Sequence, residues 1–91
     1  MQAEFHSEAI TELDASADWY AERSPIAVRN FLVAIDLTIQ KIESDPNRFP
    51  FIDSRHQSCA VMKFPFQVVF RKTADRLFIV AVAHAKRRPG Y

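Results

Sequence analysis

The hydrophobic period of this 91-residue chain changes once. Apolar residues recur every three to four positions as far as Ile42, and from Cys59 onward every second position is apolar. A period near 3.6 is that of a helix with one buried face, and a period of two is that of a strand. Helix is therefore confined to the first half and most strand to the second, which excludes repeated strand-helix-strand units and predicts an α+β domain.

Gln2 to His6 suits a short edge strand, and Ser7 is placed to cap the helix that follows. The stripe of that helix is Ile10, Leu13, Ala17 and Tyr20, with Trp19 on the opposite flank. Ser24-Pro25 starts a second helix, because proline at the first helical position gives up only an amide hydrogen that had no partner. Val28, Phe31, Leu32, Ile35, Ile39 and Ile42 give this helix a face too wide to be covered by one helix, and Pro46 ends it by Asp45. So few residues join the two helices that they must form an antiparallel hairpin.

Residues 47–57 read as an irregular surface loop. Beyond it, Cys59 to Phe64, Gln67 to Arg71 and Arg76 to Ala83 alternate as strands joined by short turns, an antiparallel meander. The last of these is apolar on both faces and belongs in the middle of a sheet. The architecture expected is a helical hairpin on one face of a three- to four-stranded antiparallel sheet, with the N-terminal strand on an undetermined edge. Residues 1–91 form a single domain, since a chain this short supports one modest core.

The formal net charge of +1 conceals an asymmetry. Residues 1–45 carry 3 Lys/Arg against 9 Asp/Glu, a net −6, and residues 46–91 carry 9 against 2, a net +7. An anionic partner is expected to meet the second half, because a charged patch acts within a Debye length of about 8–10 Å whatever the far side carries. The one cysteine, Cys59, excludes a disulfide framework and a cysteine-based metal site. No signal peptide opens the chain and no apolar run is long enough to span a bilayer, so a cytoplasmic protein without membrane, metal or cofactor is expected.

Trp19-Tyr20, the stretch from Asp45 to Pro50 (Asp-Pro-Asn-Arg-Phe-Pro), Phe64-Pro-Phe66 and the ending from Ala81 to Tyr91 (Ala-Val-Ala-His-Ala-Lys-Arg-Arg-Pro-Gly-Tyr) occur in the order strand, helical hairpin, meander. In that order and spacing they resemble the RelE/ParE superfamily over essentially the whole chain. The resemblance implies the toxin of a type II toxin–antitoxin pair, silenced by a cognate antitoxin. ParE-like members poison DNA gyrase, whereas RelE-like members cut messenger RNA on the ribosome without a metal. The near balance of charge favours the ParE-like target, ribosome-dependent cleavage is the enzyme alternative, and a non-toxic binding module or co-repressor is a third. Chains of this type often carry another aromatic residue after the last one present here, so a truncated end is an expectation as well.

Cleavage needs a base for the 2′-hydroxyl, positive charge for the transition state and an acid for the leaving oxygen. The residues able to supply these are His84, Tyr91, Lys63 and Arg71; the resemblance implies such roles for Tyr91, Lys63 and Arg71. His84 is equally suited to a backbone hydrogen bond at a strand end, Tyr91 to packing on the sheet, and Lys63 and Arg71 to edge protection. Lys63 and Arg71 are expected on neighbouring strands, close together if Phe64 to Phe66 turns tightly. Lys86, Arg87 and Arg88 are candidates for partner contact: through the planar fork of donors the arginines can clamp phosphate or bind antitoxin carboxylates, or else they form a solvated tail. Arg55, beside Phe51, and Trp19, on the outer flank of the hairpin, are further candidates for partner contact.

Overall fold

In the structure, a computed structural model that describes residues 1–85, the elements follow the order β1 (Ala3–Phe5), α1 (Ser7–Arg23), α2 (Pro25–Ser44), a 3-10 turn (Pro46–Arg48), β2 (His56–Ala60), β3 (Phe66–Lys72) and β4 (Leu77–His84). The helical hairpin covers one face of a sheet ordered β1-β4-β3-β2. The meander is antiparallel as expected, and β4 lies inside the sheet. β1 corrects the expectation of an all-antiparallel sheet: it runs parallel to β4, pairing Ala3 with Leu77 and Phe5 with Ile79. It reaches this edge because the chain leaves the sheet for the helices before the meander forms, and only β4 has an open side next to α1.

Local signals place the helices. Ser24 serves both, its N–H donating to Tyr20 O at 2.9 Å while its Oγ accepts from Ala27 N at 3.2 Å. The residue capping α1 is His6 rather than Ser7, and it uses no side-chain bond. In α1 the buried residue is Ala9, with Leu13, Ala17 and Tyr20 packed behind it, whereas Ile10 is 45% exposed. Leu13, Ala17 and Tyr20 lie on the buried side as expected, and only in the first turn does Ala9, whose methyl group lets the helix backbone approach closely, take the place expected for Ile10.

Phe31, Ile35, Thr38 and Ile42 of α2 are buried against Val68 and Phe70 of β3, Leu77, Ile79 and Val82 of β4, and Val61 and Phe66. Each such apolar side chain contributes about 1.5–3 kcal/mol relative to its exposed state. Phe31 anchors an aromatic cluster, its ring centroid 4.8 Å from Tyr20, 5.4 Å from Phe64 and 5.1 Å from Phe66.

Two departures bear on function. β2 begins at His56, inside the stretch expected as loop, and Gln57 is buried there, its Nε2 donating to Pro46 O at 2.8 Å and Phe49 O at 3.0 Å. In β4, Val69 pairs with Ala81 but Phe70 with Ile79, so Val80 is an extra residue opposite β3. Such a bulge inverts the alternation beyond it. Leu77 and Ile79 therefore face the helices together with Val82.

Candidate functional site

One transverse row of the open face of the sheet carries charged and ionisable side chains. Register aligns Glu4 of β1 with Phe78 of β4, Phe78 with Arg71 of β3, and Arg71 with His56 of β2. The next row toward the far end of the sheet is Ser58, Val69 and Ala81, and beyond it Gln67 pairs with Ala83. Small side chains in these rows form the floor of a groove of about 1330 Å³, which Ile52, Asp53 and His56 line on one side and Glu12 and Trp19 of α1 on the other. It extends to α1 because β1 covers only Leu77 to Ile79 of β4. Past that point Glu12 Oε1 accepts the Val82 N–H at 2.9 Å, satisfying an edge amide.

Charge within the row is divided. Arg76 forms two hydrogen bonds with Glu4, from Nε at 3.0 Å and from Nη2 at 2.6 Å, which hold the Glu4 carboxyl below its ordinary value. The Arg71 and Arg76 guanidinium carbons lie 4.9 and 5.0 Å from the Phe78 ring centroid. Arg71 has no carboxylate within ion-pair distance among the described residues. Its aromatic neighbour Phe78 holds it through a cation–π contact.

Beside it stands a pair that the sequence reading missed. His56 Nδ1 lies 3.0 Å from Asp53 Oδ2. Asp53 Oδ1 accepts the backbone N–H groups of Arg55 at 2.8 Å and His56 at 2.7 Å. These backbone bonds, Arg55 first, hold the Asp53 carboxyl below its usual range. With Nδ1–H donated to the carboxylate, the neutral ring keeps the lone pair on Nε2, the tautomer a general base requires. The spacing Asp53-x-x-His56 after Pro50 was the one available signal, since an aspartate that closes a turn can meet a side chain three residues on.

The proposed site residues are not all brought together. Lys63 is not on a strand but in the turn between β2 and β3, at φ 69°, and it lines a different hollow with Asn30, Val33 and Lys41. Arg71 is five residues along β3 from the end where that turn enters, about 16 Å at strand rise, so the expected proximity of Lys63 and Arg71 is corrected. β2 stops at Ala60, and the expected continuation through Phe64 is spent on the turn.

His84 pairs with Phe66, their ring centroids 5.2 Å apart, and lines the groove at the end of the sheet away from Arg71. Arg55 is exposed on the loop before β2 and does not line the groove. Trp19 forms a rim, half-exposed, with the Arg23 guanidinium 3.6 Å from its ring centroid. Lys86, Arg87, Arg88 and Tyr91 lie outside the described residues.

Burial raises the Cys59 thiol above its ordinary value, which keeps it an unreactive core residue. Among the described residues no three His, Cys, Asp or Glu side chains converge to hold a metal ion, and no helix is long and apolar enough to cross a membrane.

No family model matches the chain, and no curated protein does. Solved structures do: nine chains match. One belongs to a structure described as the chromosomal ParDE TA system from P. aeruginosa, with a TM-score of 0.82 at 18% identity over 94% of this chain and 97% of that one. At that identity the likeness is one of fold. Over 94% of its length the chain has the α+β fold of that structure, the fold implied by its resemblance to the RelE/ParE superfamily.

Proposed function

We propose that this chain is the toxin of a type II toxin–antitoxin pair of the RelE/ParE superfamily, held inactive in the cytoplasm by an antitoxin that occupies the groove. The observation that carries this reading is the fold shared over 94% of the chain with a component of a ParDE toxin–antitoxin system. The groove suits an antitoxin segment, since Val69, Ala81 and Ala83 give it small apolar side chains, while Arg71, next to His56 at its border and in no ion pair among the described residues, suits a carboxylate. The formal net charge of only +1 favours ParE-like inhibition of DNA gyrase.

Expression without the antitoxin is expected to arrest growth with DNA breaks and an SOS response while transcripts stay intact. The product of an adjacent small gene should co-purify with the chain. Reversing charge at Arg71, or at Arg87 and Arg88 together, should weaken that complex. Unchanged binding in both variants places the contact elsewhere.

The Asp53–His56 pair beside Arg71 supports a second reading, ribosome-dependent RNA cleavage without a metal. His56 Nε2 takes the proton of the 2′-hydroxyl, the 2′-oxygen bonds to phosphorus, and the bond to the 5′-oxygen breaks as that oxygen is reprotonated by the imidazolium. The products are a 2′,3′-cyclic phosphate and a free 5′-hydroxyl, and Arg71 stabilises the charge on the non-bridging oxygens. Truncated messages within minutes of expression, abolished by His56→Ala, select this reading. Toxicity unaltered by His56→Ala, His84→Ala and Tyr91→Phe removes it. Absence of both DNA damage and cleavage leaves a non-toxic binding module or co-repressor.

A further inference from the structure

α2 carries a second apolar ridge that the core does not use. Ile26, Val33 and Leu37 are 67%, 54% and 52% exposed, and with Asn30 they follow the spacing of four, three and four that keeps residues on one side of a helix. Next to this ridge the turn from Val61 to Phe66 presents Met62, 64% exposed. The two enclose a trough of about 580 Å³ lined by Val33, Leu37, Met62 and Phe64, which shares no residue with the groove on the sheet.

The charges along this trough have one sign. Lys41 and Lys63 line it, and no carboxylate does. The acidic residues of α2 lie elsewhere. Asp36 is on the far flank of the ridge, where its Oδ2 accepts from Gln40 Nε2 at 2.8 Å, and Glu43 accepts the Ala3 N–H at 2.8 Å. Lys63 is presented from a left-handed backbone conformation, φ 69°, which costs a non-glycine residue about 1–2 kcal/mol.

We propose that this trough docks an amphipathic helix of a protein partner whose apolar stripe is flanked by carboxylates. A trough between a helix ridge and a turn accepts a helix by seating apolar side chains at i, i+3, i+4 and i+7, and two lysines on its border select acidic neighbours. A second copy of this chain would bring a further Lys41 and Lys63 to a trough whose own lining supplies no carboxylate, so an acidic helix is the better match. The proposal does not depend on what occupies the groove or on the target of the chain.

The probe is a synthetic 18-residue helical peptide with leucines at i, i+3, i+4 and i+7 flanked by glutamates, compared with a peptide carrying lysines in place of the glutamates. Both are titrated into the ¹⁵N-labelled full chain. The expected result is micromolar binding of the glutamate peptide only, with amide shifts at Val33, Leu37, Lys41, Met62 and Lys63 and none at Arg71 or His56. Lys41→Glu with Lys63→Glu should weaken it about tenfold or more and reverse the sign of its salt dependence. Leu37→Glu should abolish it; these side chains are exposed, and far-UV circular dichroism verifies that the variants fold.

Absence of binding, equal binding of both peptides, or shifts confined to the groove overturns the proposal. So does a concentration-dependent dimer in sedimentation equilibrium that Leu37→Glu dissociates, since a second copy is then the occupant.

Discussion

Gln57 is the test of how the groove wall is held. It is 2% exposed, and its amide nitrogen supports two carbonyls, Pro46 O at 2.8 Å and Phe49 O at 3.0 Å, eleven and eight residues upstream. These bonds tie the segment that carries Ile52 and Asp53 to the sheet. Gln57→Met keeps the volume and removes both donors, so the cavity contribution is small and the hydrogen-bond contribution is isolated. Each lost bond is worth about 0.5–1.5 kcal/mol net, and a carbonyl left without a partner in a part-buried site costs toward the upper end, for a total of about 2–3 kcal/mol. At about 0.05–0.15 kcal/mol per residue, a domain of this length has about 5–14 kcal/mol in all, so the loss is substantial yet leaves the chain folded. Urea unfolding followed by circular dichroism should show a lower midpoint at unchanged slope. Hydrogen exchange should quicken at Ile52, His56 and Ser58, whose amides are bonded within or next to this segment. A loss below about 1 kcal/mol, or a stability loss with unaltered exchange there, refutes the claim that Gln57 holds the wall.

Three other outcomes follow from the same contacts. The Glu4 carboxyl is lowered by its bonds to Arg76, so its stabilising contribution is present above its ordinary value of 4.5 and is lost as pH falls through the lower folded value. Glu4→Gln should therefore flatten the acid side of a stability–pH profile, and an unchanged profile counts against the pair. Ser24→Ala removes the bond to Ala27 N and should cost about 1 kcal/mol in urea unfolding, whereas Ser7→Ala, at a residue that caps nothing, should cost far less. Glu12→Ala removes the acceptor of the Val82 N–H and should cost about 1–2 kcal/mol with faster exchange at Val82; exchange equal to the parent means that amide has another acceptor.

Much of the fold was legible because it rests on local rules. The helical hairpin follows from apolar spacing and from Ser24-Pro25, and the central place of β4 from its having no polar face. The candidate site was less legible. Arg71 was identified from its residue type, but its setting depends on pairing with His56 and Phe78, residues 15 and 7 positions away in sequence. The Asp53–His56 pair went unread because the segment lacks apolar alternation, and β2 starts inside it where His56 pairs with Arg71 and the buried Gln57 bonds two carbonyls. Lys63 was assigned to a strand by alternation that continues past Ala60, where the chain in fact turns.

Residue order by itself determined that helices precede strands, that the halves carry opposite charge, and that β4 is internal, because each depends on neighbours within a few positions. Tertiary structure decided the rest. It set β1 parallel to β4, put Ala9 rather than Ile10 in the first buried position of α1, inverted β4 at Val80 and placed Arg71 beside His56 rather than Lys63. These features depend on strand register and on the fit of one buried face to another. Such contacts join residues far apart in the chain, and no periodicity within a segment encodes them.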